Sequence, residues 1–235
     1  MATSWSFSKL SDFSKCKKYF WLKHEQKIPE PERPLKPGQL EHANDRGSRI
    51  HENCEFYIRG EHDALAPEAD KYFGTQIDFL RIWYADGMVE LEGAWGMSED
   101  WEIAPWASAW LRLKLDVLVH MSPTHATIID VKTGRKSGNE VKHDQQLRLY
   151  TFVTFMRFPH LKEVTAELWY IDQNEMTSVT MTREESLKYR RTFSKQGQDI
   201  VNCTDWPANP NKYSCQYCPY GPEHTGHCDV GVRKG

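Results

Sequence analysis

The 235 residues include 39% hydrophobic side chains, nine tryptophans and ten each of tyrosine and phenylalanine, a composition that excludes a disordered tail and allows one buried core in a single domain. A net charge of −3 excludes coating of nucleic acid by bulk attraction. It still permits a local basic groove, because carboxylates gathered at a metal site lower the total without weakening a basic rim. No segment reaches the roughly 18 uninterrupted apolar residues of a membrane span, and Met1-Ala-Thr-Ser-Trp-Ser-Phe7 lacks the basic and apolar regions of an export signal; a soluble, cytoplasmic protein is expected.

In chain order, Leu10, Phe13, Phe20 and Trp21 recur at helical spacing from Ser8 to about His24 and turn Cys16 inward. Four prolines between Pro29 and Gly38 mark an irregular connector. A second helix from about Gln39 places Leu40, Ala43, Gly47, Ile50, His51, Cys54 and Ile58 on one stripe, and a third, Pro67 to Tyr84, presents Phe73, Ile77, Leu80 and Tyr84. The period then becomes alternating. Met88 to Met97 reads as a strand; in Leu111 to His120 every second residue from Leu111 to Val119 is apolar and Asp116 points to the other face. After the turn Ser122-Pro123-Thr124 comes a strand, Ala126 to Lys132, with Ile128, Asp130 and Lys132 on one face. A basic loop, Thr133 to Gly138, leads to a helix from Val141 to Arg157 that carries Gln146 and Tyr150 one turn apart. A strand from Ala166 to Asp172, a hairpin partner near Val179, and a helix opening on a capping box at Thr182 to Glu185 complete the core.

A hairpin of the two central strands brings Asp116 and Asp130 together with Lys132 beside them. Two carboxylates and an ammonium are costly to bury. The cost falls if a divalent cation, Mg2+ or Mn2+, sits between the carboxylates, where it acidifies a water and polarises a phosphodiester. The plain alternative is a strand-end aspartate and an exposed ion pair of little worth. Glu90 or Glu92, on the preceding strand, can add a carboxylate, and the sequence does not choose between them. Cys215-Gln-Tyr-Cys218 has the spacing that lets both sulfurs reach one metal, with Cys228 following after nine intervening residues that include His224 and His227. Zinc on the three cysteines and one histidine is one reading.

These stretches resemble, in order, the RecB-like exonuclease branch of the PD-(D/E)xK nuclease superfamily, a group that includes phage exonucleases and CRISPR adaptation nucleases. Phe7 to Trp21 is similar to its opening helix, and Gly47-Ser-Arg-Ile-His51 to its glycine-to-histidine motif. Lys114-Leu-Asp116, Ile129-Asp-Val-Lys-Thr-Gly134 and Gln146-Leu-Arg-Leu-Tyr150 resemble its active-site motifs. The resemblance implies an α/β core with a mixed sheet flanked by helices and a small C-terminal cysteine-metal clasp. It implies that His51, Asp116, Asp130 and the Val131 carbonyl bind Mg2+ or Mn2+, that Lys132 is catalytic, and that Gln146 and Tyr150 position DNA or the lysine. Arg135 and Lys136 are expected to contact phosphates. The iron-sulfur members join one opening-helix cysteine to three near the C-terminus, which implies a 4Fe-4S cluster on Cys16, Cys215, Cys218 and Cys228; the long last gap with its histidines departs from that plan and keeps zinc open.

The expected protein is one nuclease domain: a helical part over 1–85, a catalytic sheet and helices over 86–202, and a cysteine-rich tail over 203–235. Its substrate is DNA, in recombination, repair or phage DNA processing, in the host cytoplasm if phage-encoded, with a helicase or recombination protein as partner. The alternative function is an inactive nuclease-fold binding or adaptor protein.

Overall fold

The computed structural model describes residues 4–32, 34–35, 38–134, 136 and 138–232. A six-stranded sheet has the order β2-β1-β3-β4-β5-β6, from β1 (Val89–Met97), β2 (Ile103–Ala104), β3 (Leu111–Ser122), β4 (His125–Lys132), β5 (Glu163–Tyr170) and β6 (Glu175–Thr182). All neighbours are antiparallel except β4 and β5. A parallel neighbour requires a crossover, and α5 (Glu140–Arg157) supplies it. Helices cover both faces, as the apolar run in β4 requires. On one side α5 packs with α1 (Phe7–Lys15) and α7 (Arg190–Val201) on Leu113, Leu115, Ile128 and Leu168. On the other, α3 (Ala43–Arg59) and α4 (Pro67–Ala85) lay Ile50, Ile58, Phe73 and Ile77 against Val117, Val119, Ile129 and Val131.

Local chemistry sets the helix ends. Ser6 accepts a hydrogen bond from the Lys9 backbone at the start of α1, Pro67 opens α4, and Gly60 at φ +80° closes α3 in a conformation that favours glycine. The capping box at Thr182 and Glu185 forms and starts α6 (Arg183–Leu187).

Four expectations need correction. The opening helix is not continuous: Cys16 is extended between α1 and α2 (Lys17–Phe20), and a π turn follows over Trp21–Glu25. Leu40 is 98% exposed because α3 begins only at Ala43. The strand expected to start at Ala166 starts at Glu163, paired with His125 of β4. The apolar residues of β3 do not share one face: Leu111, Leu113 and Leu115 join the α5 side, whereas Val117 and Val119 join the α3 side. The face changes at Asp116. Alternation could not reveal this, because both sheet faces are covered there and either face accepts an apolar residue. The sequence also gave no sign of β2, of the 3-10 turn Trp106–Ser108 or of α8 (Lys212–Cys215).

Candidate active site

The change of face coincides with a break in the sheet. Pairing of β3 with β4 runs from His120↔Ala126 to Val117↔Ile129 and stops before Asp116 and Asp130. The Asp116 carboxylate takes up the released backbone group: its Oδ2 accepts from the Val131 N–H at 2.8 Å. Pairing of β1 with β3 also skips one rung, Glu92 with Asp116, and Glu92 sits at φ +50°, an uncommon conformation for a side chain of this type. Glu92, Asp116 and Asp130 therefore mark one line across three strands along which ladder bonds give way to side chains.

Asp130 is 5% exposed. Its Oδ1 accepts from the Tyr150 hydroxyl at 2.9 Å and from Gln146 Nε2 at 3.1 Å, and Gln146 Nε2 also donates to the Tyr150 oxygen at 2.6 Å. Lys132 Nζ is 2.5 Å from Asp130 Oδ2. Oδ2 is buried, and the Lys132 ammonium is the one group that meets it among the described residues. Burial, helped by the charge of Asp116, pushes the Asp130 carboxyl above its ordinary range against the pull of Lys132 and Tyr150.

His51 approaches Asp116 from α3, its Nδ1 3.3 Å from Oδ2. Burial pulls the imidazole down, but the hydrogen bond and charge of Asp116 and the charge of Asp130 outweigh it, leaving His51 above its ordinary value. Gly47 lets α3 come this close: a Cβ there would lie 3.0 Å from the Thr133 hydroxyl.

The two glutamates on β1 part company. Glu90 pairs with His120 at 2.8 Å on the surface, whereas Glu92 lines a small cavity with His51, Glu55 and Asp116. Burial first, then the charges of Asp116 and Glu55, raise the Glu92 carboxyl. The chain thus brings His51, Glu92, Asp116, Asp130, Lys132, Gln146 and Tyr150 into one neighbourhood. Among the described residues, however, no three His, Cys, Asp or Glu side chains already converge on one point as a metal site.

On the other side of Lys132 lies a groove of about 510 Å³ lined by Lys9, Arg112, Lys114, Lys132 and Lys142, with His143 and, among the described residues, no carboxylate. These cations are spread over the sequence, and no local run announces them. The one available signal was that even positions of β3 leading to Asp116, Arg112 and Lys114, are basic. Lys136, expected to contact phosphates, folds back instead: its Nζ pairs with Glu175 at 3.2 Å and its backbone N–H donates to Gln173. Arg135 lies outside the described residues.

Cys16, Cys215, Cys218 and Cys228 line a single, almost wholly apolar cavity between α1–α2 and the tail. The Asn209 N–H donates to Cys16 Sγ and the Asn211 N–H to Cys215 Sγ, each at 3.4 Å. Neither histidine of the tail lines it. His224 belongs to a separate pocket with Pro31 and Tyr217, and His227 meets the Tyr220 ring edge-on at 6.4 Å.

Paired aspartates and a lysine at the mouth of an opening hairpin, flanked by a crossover helix that holds one aspartate, define the class to which this α/β sheet belongs. The sequence matches the PD-(D/E)XK nuclease superfamily over residues 4–222, and the chain belongs to that superfamily. Among solved structures it is similar to SSO0001, at 12% identity and a TM-score of 0.46, over 99% of this chain and 89% of that one. It is also similar to a candidate exonuclease from Eubacterium rectale, at 12% identity and a TM-score of 0.48, over 93% and 88%. No curated protein sequence matches it. Among the described residues no helix is long and apolar enough to cross a membrane.

Proposed function

We propose that this protein is a divalent-cation-dependent deoxyribonuclease that hydrolyses phosphodiester bonds from a DNA end, as one nuclease domain. The observation that carries this reading is the juxtaposition of the Asp116, Asp130 and Lys132 cluster with a groove of five cations and, among the described residues, no carboxylate. Superfamily members usually use Mg2+ or Mn2+, and the residues here fit such an ion: Asp130 Oδ2 is a buried carboxylate oxygen met by the Lys132 ammonium, and the His51, Glu92 and Asp116 side chains line one cavity across the sheet break. The ligands would be His51, Asp116, Asp130 and the Val131 carbonyl. An ion bound there would acidify a water and stabilise charge on the phosphate.

The chain's own groups do the rest. Tyr150 and Gln146 fix the Asp130 carboxylate by two hydrogen bonds, which holds its other oxygen in place. Lys132 extends to the groove side, where its ammonium orients the attacking water. Lys9, Lys114 and Lys142 neutralise flanking phosphates without reading bases. Labelled DNA incubated with the protein and Mg2+, Mn2+ or chelator tests the reading: cleavage with cation, none with chelator, and none by Lys132→Ala are expected. Cleavage undiminished in Asp130→Ala would refute it.

The same proposal assigns a 4Fe-4S cluster to Cys16, Cys215, Cys218 and Cys228. The shared apolar cavity, the two N–H donors to sulfur and the placement of His224 and His227 outside it support four thiolates over a three-cysteine, one-histidine zinc site. The cluster's contribution is structural: it ties the tail to the opening helices.

A further inference from the structure

Trp106 is the most exposed of the nine tryptophans, at 38%. It opens the 3-10 turn Trp106–Ser108 between β2 and β3 and lines the basic groove. The turn is braced rather than loose. Arg112 Nε donates to the Trp106 carbonyl at 2.9 Å and Nη2 to that of Ala107 at 3.0 Å, while the guanidinium lies over the indole ring, 5.5 Å from its centroid. Those bonds fix the guanidinium, so the cation covers one part of the ring and the remainder stays open. Among the described residues no other aromatic ring stacks on it, in contrast to Trp5, Trp101 and Trp110, which pack edge-on to one another in the core. A half-exposed indole beside a row of lysines is the pairing that single-stranded nucleic acid uses: cations track the backbone and a base stacks on the ring.

Resting on the nuclease reading, we infer that the Trp106 turn is a base-stacking subsite that holds an unpaired nucleotide of the strand leading to Lys132, and so selects single-stranded DNA. In a duplex each base already has neighbours on both faces and has none free for an indole, so duplex DNA gains nothing from Trp106 except at a frayed end. Lys9, Lys142 and Lys114 serve both forms alike, because phosphate contacts carry no information about pairing. Trp106 is the part of the groove that discriminates.

The test uses the full-length protein in chelator, so that binding is read without cleavage. Fluorescence anisotropy is measured with a labelled single strand, the same strand with abasic sites along its length, and a blunt duplex. Trp106→Ala is expected to weaken single-strand binding about tenfold, the scale of one lost base stack. Trp106→Phe keeps most of the affinity, duplex binding is unchanged, and the abasic strand binds wild type and Trp106→Ala equally. An unaltered single-strand affinity in Trp106→Ala, or equal losses on the intact and abasic strands, overturns the inference. So does a wild type that binds no DNA. If wild type cleaves DNA with Mg2+ or Mn2+ while Trp106→Ala binds normally, the subsite falls and the nuclease reading stands. If wild type never cleaves, the nuclease reading falls whatever Trp106 does.

Discussion

Asp130→Asn separates what this residue does for chemistry from what it costs the fold. The substitution keeps shape and keeps Oδ1 as acceptor for Tyr150 and Gln146, but removes a carboxylate charge from a site that is 5% exposed. Lys132 loses its partner, yet its side chain is 28% exposed and can turn to water. Replacing a whole buried ion pair by neutral groups is often neutral or stabilising by about 1–4 kcal/mol, whereas removing one partner costs about 3–5 kcal/mol when the other charge stays buried; because Lys132 can turn to water, no buried cation is left behind and a small gain, on the order of 1 kcal/mol, is expected. For a chain of this length that raises Tm by about 2–4 °C. The pH dependence follows from the direction of the shift. The folded Asp130 carboxyl titrates above its unfolded counterpart, so between the two values the folded state holds more protons, and wild-type stability falls as pH rises through that window. The advantage of Asn is therefore full above the folded pKa and vanishes below the unfolded carboxylate range. Thermal melts of both proteins in chelator at pH 7.5 and pH 3.5, beside a cleavage assay, measure it. Loss of cleavage with a higher Tm at pH 7.5 only is expected. A variant destabilised at neutral pH by about 2 kcal/mol or more would refute the claim that the charge is a stability cost.

Glu92→Gly is expected to lose cleavage while gaining about 1 kcal/mol from relief of the positive-φ side chain, whereas Glu90→Gln cleaves normally; urea melts and the cleavage assay check both. A double reversal, Lys9→Glu with Lys142→Glu, should weaken DNA binding and flatten its salt dependence by about two phosphate contacts, while Lys136→Glu, already paired with Glu175, changes it little in the same salt titration. His143 is lowered to about 4, first by burial and then by Lys132 and Lys142; its neutral form stabilises the fold above the ordinary histidine value and that contribution is lost as pH falls from about 6.5 towards 4, so His143→Asn should flatten the pH profile of urea melts in that window. Anaerobically purified protein should be brown with iron bound, Cys16→Ser should lose both colour and stability, and His224→Ala and His227→Ala should lose neither; metal analysis showing zinc without iron decides the other way.

Much of the fold could be read from the chain because each element announced itself locally: periodicity for α4, α5 and β4, and paired polar signals for the capping box. Asp130 and Lys132 were legible for the same reason, two residues apart on a strand. What stayed hidden depends on contacts between distant segments. The face switch at Asp116 is silent because Leu115, Val117, Leu118 and Val119 are all apolar and both sides of the sheet are covered. The choice of Glu92 over Glu90 depends on a backbone break that no propensity encodes. The groove draws Lys9 from α1, Arg112 and Lys114 from β3, and Lys142 from α5, so no window of sequence contains it.

The position of Lys9 follows from the break in the sheet. Beyond Asp116, the half of β3 running to Leu111 has lost β4 as a neighbour, and an open strand edge inside a covered sheet leaves backbone groups without partners. The N-terminal segment fills the slot: the Trp5 N–H donates to the Trp110 carbonyl at 2.8 Å, the Trp5 carbonyl accepts from Arg112 at 2.9 Å, and Trp5 bridges Leu111 in parallel. Its ring is locked between Trp101 and Trp110, under Gly197 of α7, where a Cβ would strike both Trp5 and Trp110. Edge filling thus delivers α1 to the rim of the gap, and Lys9 is held there by donating to the Ser4 carbonyl at 2.9 Å. One structural event, the withdrawal of β4 at Asp116, frees the two aspartates from the ladder and also recruits the wall that carries Lys9, the lysine proposed to meet a phosphate. A lone Asp-x-Lys on an intact hairpin would have neither.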